Sequence, residues 1–146
     1  SLLAELQDIW YEKIPLSKNM ELSISSFDGV RLVTQARLEP NVNVHGTAFA
    51  GSLYAIQALT GWGMVHLQTR ILAVNASIVI AHGNIDYAAP IKQDIVAVCE
   101  FSNLEEEVRD LLEKRKARFN LSCSVTSDNA LACVFNGVYA VKNLDQ

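Results

Sequence analysis

Residues 40–69 contain no aspartate, glutamate, lysine or arginine, and this uncharged stretch constrains the fold more than any other feature. Its middle, residues 50–67, is long enough for about five turns of helix. A helix that is apolar on every side either crosses a membrane or is surrounded by its own protein. Gln57, Thr60 and His66 interrupt the apolar run and no basic flank orients it, which argues against a membrane span. The sequence therefore predicts a long central helix enclosed by the rest of the chain.

The segments before this helix predict a helix and a hairpin. Apolar residues at helical spacing indicate an amphipathic helix over residues 2–13, which is soon followed by Pro15. Two runs of alternating apolar and polar residues then flank Asp28-Gly29, a pair suited to the positive φ angles of a tight turn. A hairpin of two strands is expected here, ending at Pro40.

The segments after the central helix predict four more strands and one short helix. The strand patterns cover residues 76–89, 95–101, 117–125 and 131–141. Asn103 and Glu106 form a capping-box pattern that predicts the start of the short helix, and Lys114 to Lys116 suit its carboxyl end. The expected order is α, ββ, α, ββ, α, ββ. Hairpins dominate this order, so we expect a mainly antiparallel sheet in an α+β arrangement.

Composition bounds the class of protein. The 146 residues make one domain, 50% of them are hydrophobic and 19% are charged, so a disordered chain and a disulfide-stapled miniprotein are both excluded. The net charge of −4 argues against a nucleic-acid binder. Three cysteines without a C-x-x-C pair indicate free thiols in a reducing compartment. The acidic residues among the first thirteen do not fit a signal peptide, and we expect a cytoplasmic protein without a membrane span.

Two motifs resemble those of one superfamily. The segment Asn43–Gly51, NVHGTAFAG, is similar to the N-x-x-G-T-x-H-G-G segment that opens the central helix in hot-dog acyl-CoA thioesterases. The segment Asn84–Pro90, NIDYAAP, resembles their N-I-x-Y-x-x-P strand. Gly46–Tyr54 with Gly61-Trp62-Gly63 resembles more closely the thioesterase-like domain that some bacterial proteins carry behind an acetyltransferase, the YiiD C-terminal type. The resemblance implies a single hot-dog domain over residues 1–146, with an antiparallel sheet wrapped around a long central helix.

The resemblance also implies a function. It predicts a bacterial thioesterase that hydrolyses an acyl-CoA or acyl-carrier-protein thioester without a cofactor or metal, as a homodimer or homotetramer. The chain departs from the better-known members at four positions. Ala58 stands where their helix carries an acidic residue, Phe49 and Ala50 replace the histidine and first glycine of H-G-G, and Ile80 replaces a serine of the neighbouring strand. The usual carboxylate is therefore missing.

Thioester hydrolysis needs donors aimed at a carbonyl oxygen that becomes negative. Backbone N–H groups at a helix N-terminus supply them without a side chain, and Gly51 or Ala50 is placed for this role. Small residues there, and Gly46, let a thioester approach the backbone closely. Tight packing of the helix on the sheet explains the same residues and is compatible with this role.

A water molecule must also be oriented and deprotonated. Asn43 and His82 are the predicted catalytic residues beside Gly51, and His45, Asn84 and Asp86 are further candidates. Asn43 matches a family position that holds the nucleophilic water or the carbonyl, although a loop-capping asparagine fits the same pattern. His82, Asn84 and Asp86 alternate along one face of a strand. His82 is then either a general base or a structural histidine.

The matched motifs also imply substrate contacts. The residues expected to bind substrate are His45, Gly46, Thr47, Phe49, Ala50, Tyr54, Asn84 and Tyr87. Aromatic residues of the central helix either line an acyl tunnel or belong to the core. The basic run at residues 114–118 either holds the phosphates of coenzyme A or is a solvated helix end.

Two alternatives to the hydrolase remain open. A non-catalytic domain that binds acyl-CoA or acyl-carrier protein would share the pocket, and Ala58 favours it, whereas Asn43 and the glycine segment favour the enzyme. An acetyltransferase label would be inherited from fused relatives and would describe a different domain, because this chain has no glycine-rich pyrophosphate loop after a strand. A hot-dog dehydratase would need a histidine facing a carboxylate, and the matched segments contain no such pair.

Overall fold

The computed structural model describes residues 1–145 and folds them into four helices and six strands. In chain order these are α1 (Leu2–Lys13), α2 (Pro15–Asn19), β1 (Ser23–Phe27), β2 (Arg31–Ala36), α3 (Ala50–Ile71), β3 (Ala76–Tyr87), β4 (Ile95–Glu100), α4 (Glu105–Glu113), β5 (Lys116–Ser127) and β6 (Ala130–Asn143). A short 3-10 turn, Glu39–Asn41, precedes α3. The predicted order of elements is confirmed, while α2 and the 3-10 turn are too short to have left a periodic pattern.

The six strands form one antiparallel sheet in the order β1-β2-β4-β5-β6-β3. Helix α3 packs against five of them, β2 to β6, and Ile56, Met64 and Leu67 on this helix are fully buried. The predicted central helix is confirmed and extends to Ile71, a few residues beyond its predicted end. Within residues 1–145 no helix is long and apolar enough to span a bilayer. The α+β architecture is therefore the predicted one.

Two glycines let α3 approach its neighbours closely. A Cβ atom on Gly61 would lie 2.6 Å from Cζ of Tyr139 on β6, and one on Gly63 would lie 2.6 Å from Cζ2 of Trp10 on α1. The N-terminal helix is also joined to α3 by Glu5, whose carboxylate accepts a 2.9 Å hydrogen bond from Nε of Arg70. The central helix is thus held on one side by the sheet and on another by α1.

The strand register sorts residues onto two faces of the sheet, because directly opposed residues share a face. Tyr87 lies opposite the buried Cys133, and Ile80 lies opposite the buried Tyr139, so both belong to the inner face that covers α3. A β-bulge between Ile80 and His82 shifts the alternation at the middle of β3. The residues of β3 on the outer face are Ser77, Val79, His82, Asn84 and Asp86.

The predicted start of α4 is wrong in its detail. The cap position is Leu104, without a side-chain cap, and Asn103 has a φ of 59°. Asn103 therefore lies in the left-handed turn before the helix and forms no capping box. The basic run is also placed differently, because α4 ends at Glu113 and Lys116 already belongs to β5.

Candidate active site

The loop before α3 is organised by the side chain of Asn43. Its Oδ1 accepts hydrogen bonds from the backbone N–H of His45 at 2.8 Å and of Thr47 at 3.1 Å, and its Nδ2 donates to Oγ1 of Thr47 at 2.8 Å. Gly46 occupies the left-handed region with a φ of 77°, which suits glycine. Every hydrogen bond recorded for the Asn43 side chain stays within residues 43–48. Asn43 thus shapes the loop that leads to the helix.

Backbone hydrogen bonds fix the end of this loop. The N–H of Phe49 donates to the carbonyl of Asn41 at 2.7 Å, and the N–H of Ala48 donates to the carbonyl of Ile91 at 2.8 Å. Asn41 is buried, and its Nδ2 donates to the carbonyl of Met20 at 2.9 Å. The start of α3 is therefore held between the N-terminal segment and the loop that follows β3.

The first turn of α3 presents free backbone donors. The first hydrogen bond of the helix runs from the N–H of Leu53 to the carbonyl of Phe49 at 3.0 Å. No group in residues 1–145 accepts from the N–H of Ala50, Gly51 or Ser52, and Phe49 at the cap position supplies no side-chain acceptor. Such amides sit at the positive end of the helix dipole. They can stabilise a carbonyl oxygen that gains negative charge.

Two aromatic side chains border these donors. The ring of Phe49 lies over Gly51, where a Cβ atom would come within 2.5 Å of Cε2. The hydroxyl of Tyr87 donates to the carbonyl of Ala50 at 2.8 Å. Partial burial raises the pKa of Tyr87, so its hydroxyl stays protonated and able to donate near neutral pH. Phe49 is 51% exposed and Tyr87 48% exposed, so the donors open onto an aromatic surface.

The predicted site residues fall into two groups. The structure brings together Asn43, His45, Gly46, Thr47, Phe49, Ala50, Gly51 and Tyr87 at the start of α3. Tyr54 points inside, where its ring packs edge-on against Phe135 at 5.0 Å and its hydroxyl fills the space beside Gly83. His82 and Asn84 lie on the outer face of the sheet, as does Asp86. Within a single chain they do not meet the helix N-terminus, and the role of His82 as a base stays a prediction.

A buried amide lies near this site that sequence reasoning did not select. Gln57 is fully buried; its Nε2 donates to the carbonyl of Leu53 at 3.0 Å and to Sγ of Cys133 at 3.2 Å. Its Oε1 has no hydrogen-bond partner within residues 1–145. Burial raises the pKa of the Cys133 thiol, which therefore stays protonated and is not a nucleophile at neutral pH. A glutamine within an uncharged, buried helix is the signal that would have identified this pair.

The position of the missing acid is also buried. Ala58 is 7% exposed, and its carbonyl accepts a 2.9 Å hydrogen bond from the hydroxyl of Tyr139. Helix α3 contains no aspartate or glutamate at all. The backbone donors at the start of α3 are therefore present, but the carboxylate that the better-known thioesterases carry at the position of Ala58 is absent.

A long helix enclosed by an antiparallel sheet is the arrangement of the hot-dog fold. Residues 3–143 match the family described as "Putative thioesterase (yiiD_Cterm)", and the chain belongs to this family.

Solved structures agree with this assignment. A "putative thioesterase" from Shewanella oneidensis is 37% identical, with 95% of this chain and 96% of that chain covered and a TM-score of 0.89. A protein of unknown function from Chlorobaculum tepidum TLS is 34% identical, with 96% and 93% covered and a TM-score of 0.90. A thioesterase from Haemophilus influenzae is 15% identical, with 97% and 92% covered and a TM-score of 0.72. At this low sequence identity, the similarity to the third structure supports the fold alone.

Proposed function

We propose that this thioesterase hydrolyses acyl-CoA and that its site forms between two copies of the chain. The observation that carries the proposal is that the N–H groups of Ala50, Gly51 and Ser52 have no acceptor within residues 1–145 and lie at the exposed N-terminal end of a helix whose middle is buried. These donors need no reorganisation when the thioester carbonyl becomes an oxyanion.

The reaction follows from these donors. The carbonyl oxygen of the thioester accepts a hydrogen bond from Gly51, and water attacks the carbonyl carbon to give a tetrahedral intermediate. Collapse of the intermediate breaks the carbon–sulfur bond and releases the thiol of coenzyme A and a carboxylic acid. A base takes one proton from the attacking water and returns it to the departing sulfur, so that coenzyme A leaves as a thiol. The second proton of that water stays on the carboxylic acid and is released at neutral pH. Asn43 acts as a positioning residue by shaping the loop beside the donors.

The dimer is supported by the edge of the sheet. Strand β3 is an edge strand, and such an edge invites pairing unless it is covered. Ile80 belongs to the inner face and yet is 41% exposed, while Val79 on the outer face is 56% exposed. A second copy that pairs with β3 would cover both residues and bring its own strand beside Tyr87. The chemistry needs no cofactor, and the three unpaired, buried cysteines suit a reducing cytoplasm.

A non-catalytic acyl-CoA binding domain is the second candidate, and Ala58 favours it. The deciding experiment measures free-thiol release from a panel of short, medium and long acyl-CoAs, together with calorimetric binding of the same ligands. Turnover well above the uncatalysed rate supports the hydrolase. Tight binding without thiol release would assign the protein to the binding class instead.

A further inference from the structure

The carbonyl of Ala50 accepts hydrogen bonds from its own helix and from the sheet. Helix α3 begins at Ala50, so its geometry directs the N–H of Tyr54 to this carbonyl. The hydroxyl of Tyr87, at the end of β3, donates to the same oxygen at 2.8 Å. A carbonyl oxygen has two lone pairs and can accept from both donors. The bond from Tyr87 therefore adds to the bond of the helix and is not needed to satisfy the carbonyl.

This carbonyl and the N–H of Gly51 belong to one peptide group. The planar amide between Ala50 and Gly51 carries the oxygen at one end and the N–H at the other, and resonance couples the two ends. A hydrogen bond to the oxygen draws electron density from the nitrogen and makes the N–H a stronger donor, as hydrogen bonds in a chain polarise one another. The Tyr87 hydroxyl therefore acts on the N–H of Gly51 without touching it.

The other two free amides of the first turn have no such support. The N–H of Ala50 shares its peptide group with the carbonyl of Phe49, which accepts from the backbone N–H of Leu53. The N–H of Ser52 shares its peptide group with the carbonyl of Gly51. No side-chain donor within residues 1–145 reaches the carbonyl of Phe49 or of Gly51. Of the three free amides, that of Gly51 is the one polarised by a side chain.

The Tyr87 hydroxyl is protonated and held in position by the sheet. Partial burial raises the pKa of Tyr87, so the hydroxyl donates near neutral pH. Tyr87 lies opposite the buried Cys133 of β6. The N–H of the next residue, Ala88, donates to the carbonyl of Ala132 at 2.8 Å. The paired end of β3 therefore presents the hydroxyl to the helix from a fixed place.

We propose that Tyr87 is a positioning residue that makes the N–H of Gly51 the strongest donor to the oxyanion of the thioester. This inference rests on the proposed function. Negative charge on the oxygen grows as the tetrahedral intermediate forms, so a polarised N–H stabilises the intermediate more than the substrate. The effect of Tyr87 therefore falls on kcat. A substrate contact, which the motif predicts for Tyr87, would act on KM instead.

The first test compares two variants that each lose a tyrosine hydroxyl bonded to a carbonyl of α3. Tyr87→Phe removes the bond to Ala50. Tyr139→Phe is the matched control, because its hydroxyl donates to the carbonyl of Ala58 at 2.9 Å and the N–H of that peptide group, on Leu59, lies inside the helix. Both variants are assayed by steady-state hydrolysis of one acyl-CoA.

Tyr87→Phe should lower kcat by about three- to tenfold with KM unchanged, the factor that corresponds to one net hydrogen bond. Tyr139→Phe should keep the kcat of the wild type, although it also loses a hydrogen bond to α3. The same kcat in both variants would overturn the proposal. A rise in KM alone for Tyr87→Phe would overturn it as well and would identify a substrate contact.

The second test asks whether Tyr87 acts through the N–H of Gly51. The amide between Ala50 and Gly51 is replaced by an ester, which removes this N–H, in the wild type and in Tyr87→Phe. With no N–H left to polarise, Tyr87→Phe should lower the kcat of the ester form by less than about twofold. A loss by the same factor in the amide and the ester forms would show that Tyr87 acts by another route, contrary to the proposal.

The third test needs no turnover. The amide resonances of Ala50, Gly51 and Ser52 are followed by NMR in isotope-labelled wild type and Tyr87→Phe. The Gly51 resonance should move the most, in the direction of a less polarised N–H, and equal shifts at all three amides would contradict the proposal. If the wild type does not hydrolyse acyl-CoA, the proposed function fails, while the Gly51 resonance still decides whether Tyr87 polarises this donor.

Discussion

The hydroxyl of Tyr87 donates a 2.8 Å hydrogen bond to the carbonyl oxygen of Ala50 and so joins the last residue of β3 to the first residue of α3. This bond holds the open edge of the sheet against the free amides of the helix. The sheet edge that we assign to the dimer and the donors that we assign to catalysis are therefore in direct contact.

Tyr87→Phe removes this hydrogen bond alone. We expect the free energy of unfolding to fall by about 0.5–1.5 kcal/mol, the usual net value of one such bond. Tyr54→Phe is the control, because its hydroxyl makes no hydrogen bond recorded within residues 1–145 and faces Gly83. Urea unfolding of both variants measures the difference. Equal stabilities of the two variants would mean that the Tyr87 bond contributes nothing.

Asn43→Ala should lower kcat/KM by about 10², because the loop beside the donors loses its organising side chain and small displacements are costly. Asn43→Asp keeps the oxygen that accepts from His45 and Thr47, so it should recover most of the lost activity. Steady-state hydrolysis of one acyl-CoA measures both variants. A fall in kcat alone, with KM unchanged and no recovery by aspartate, would instead indicate that the Asn43 amide holds the water directly.

His82→Ala tests the one predicted catalytic residue that lies away from the others. Because His82 faces outward from the middle of β3, we expect its removal to leave the pH profile of hydrolysis near neutrality unchanged. The measurement is kcat/KM of wild type and variant from about pH 5 to pH 8, where histidine titrates. Loss of activity together with loss of the pH dependence would instead identify His82 as the general base.

Gly61→Ala should destabilise the fold by about 1–3 kcal/mol, because the added carbon meets the Tyr139 ring and overpacks the core. Tyr139→Phe removes the hydroxyl nearest to that carbon, although it also removes the hydrogen bond to Ala58. The double variant should therefore lose less stability than the sum of the two single losses. Additive losses in thermal or urea unfolding would show that Gly61 and Tyr139 are not in close contact.

Much of the fold is predictable from the sequence, because the uncharged stretch leaves α3 no place except the interior. The bounds of α1 are predicted by its helical spacing of apolar residues, and the turn is predicted by the Asp28-Gly29 pair between two alternating runs. The start of α4 does not, since Asn103 adopts a positive φ that its capping pattern does not reveal.

The site is predictable only in part. The loop and the start of α3 are adjacent in the sequence, so one continuous motif contains both Asn43 and Gly51 and identifies them. The alternation of His82, Asn84 and Asp86 correctly gives them a common face, but only the register with β6 shows that this face points outward. The sequence does not reveal the role of Gln57, because its hydrogen-bond partner Cys133 lies on β6, far along the chain.

The most direct test of the account replaces the amide between Ala50 and Gly51 by an ester, which removes the N–H of Gly51 and leaves every side chain unchanged. The control is the same replacement between Leu2 and Leu3, where the N–H is also in the first turn of a helix and has no acceptor within residues 1–145. If Gly51 stabilises the oxyanion, kcat for acyl-CoA hydrolysis should fall by about 10²–10³ with little change in KM, while the control retains wild-type turnover. An unchanged kcat in the Gly51 ester would contradict thioester hydrolysis at the N-terminus of α3.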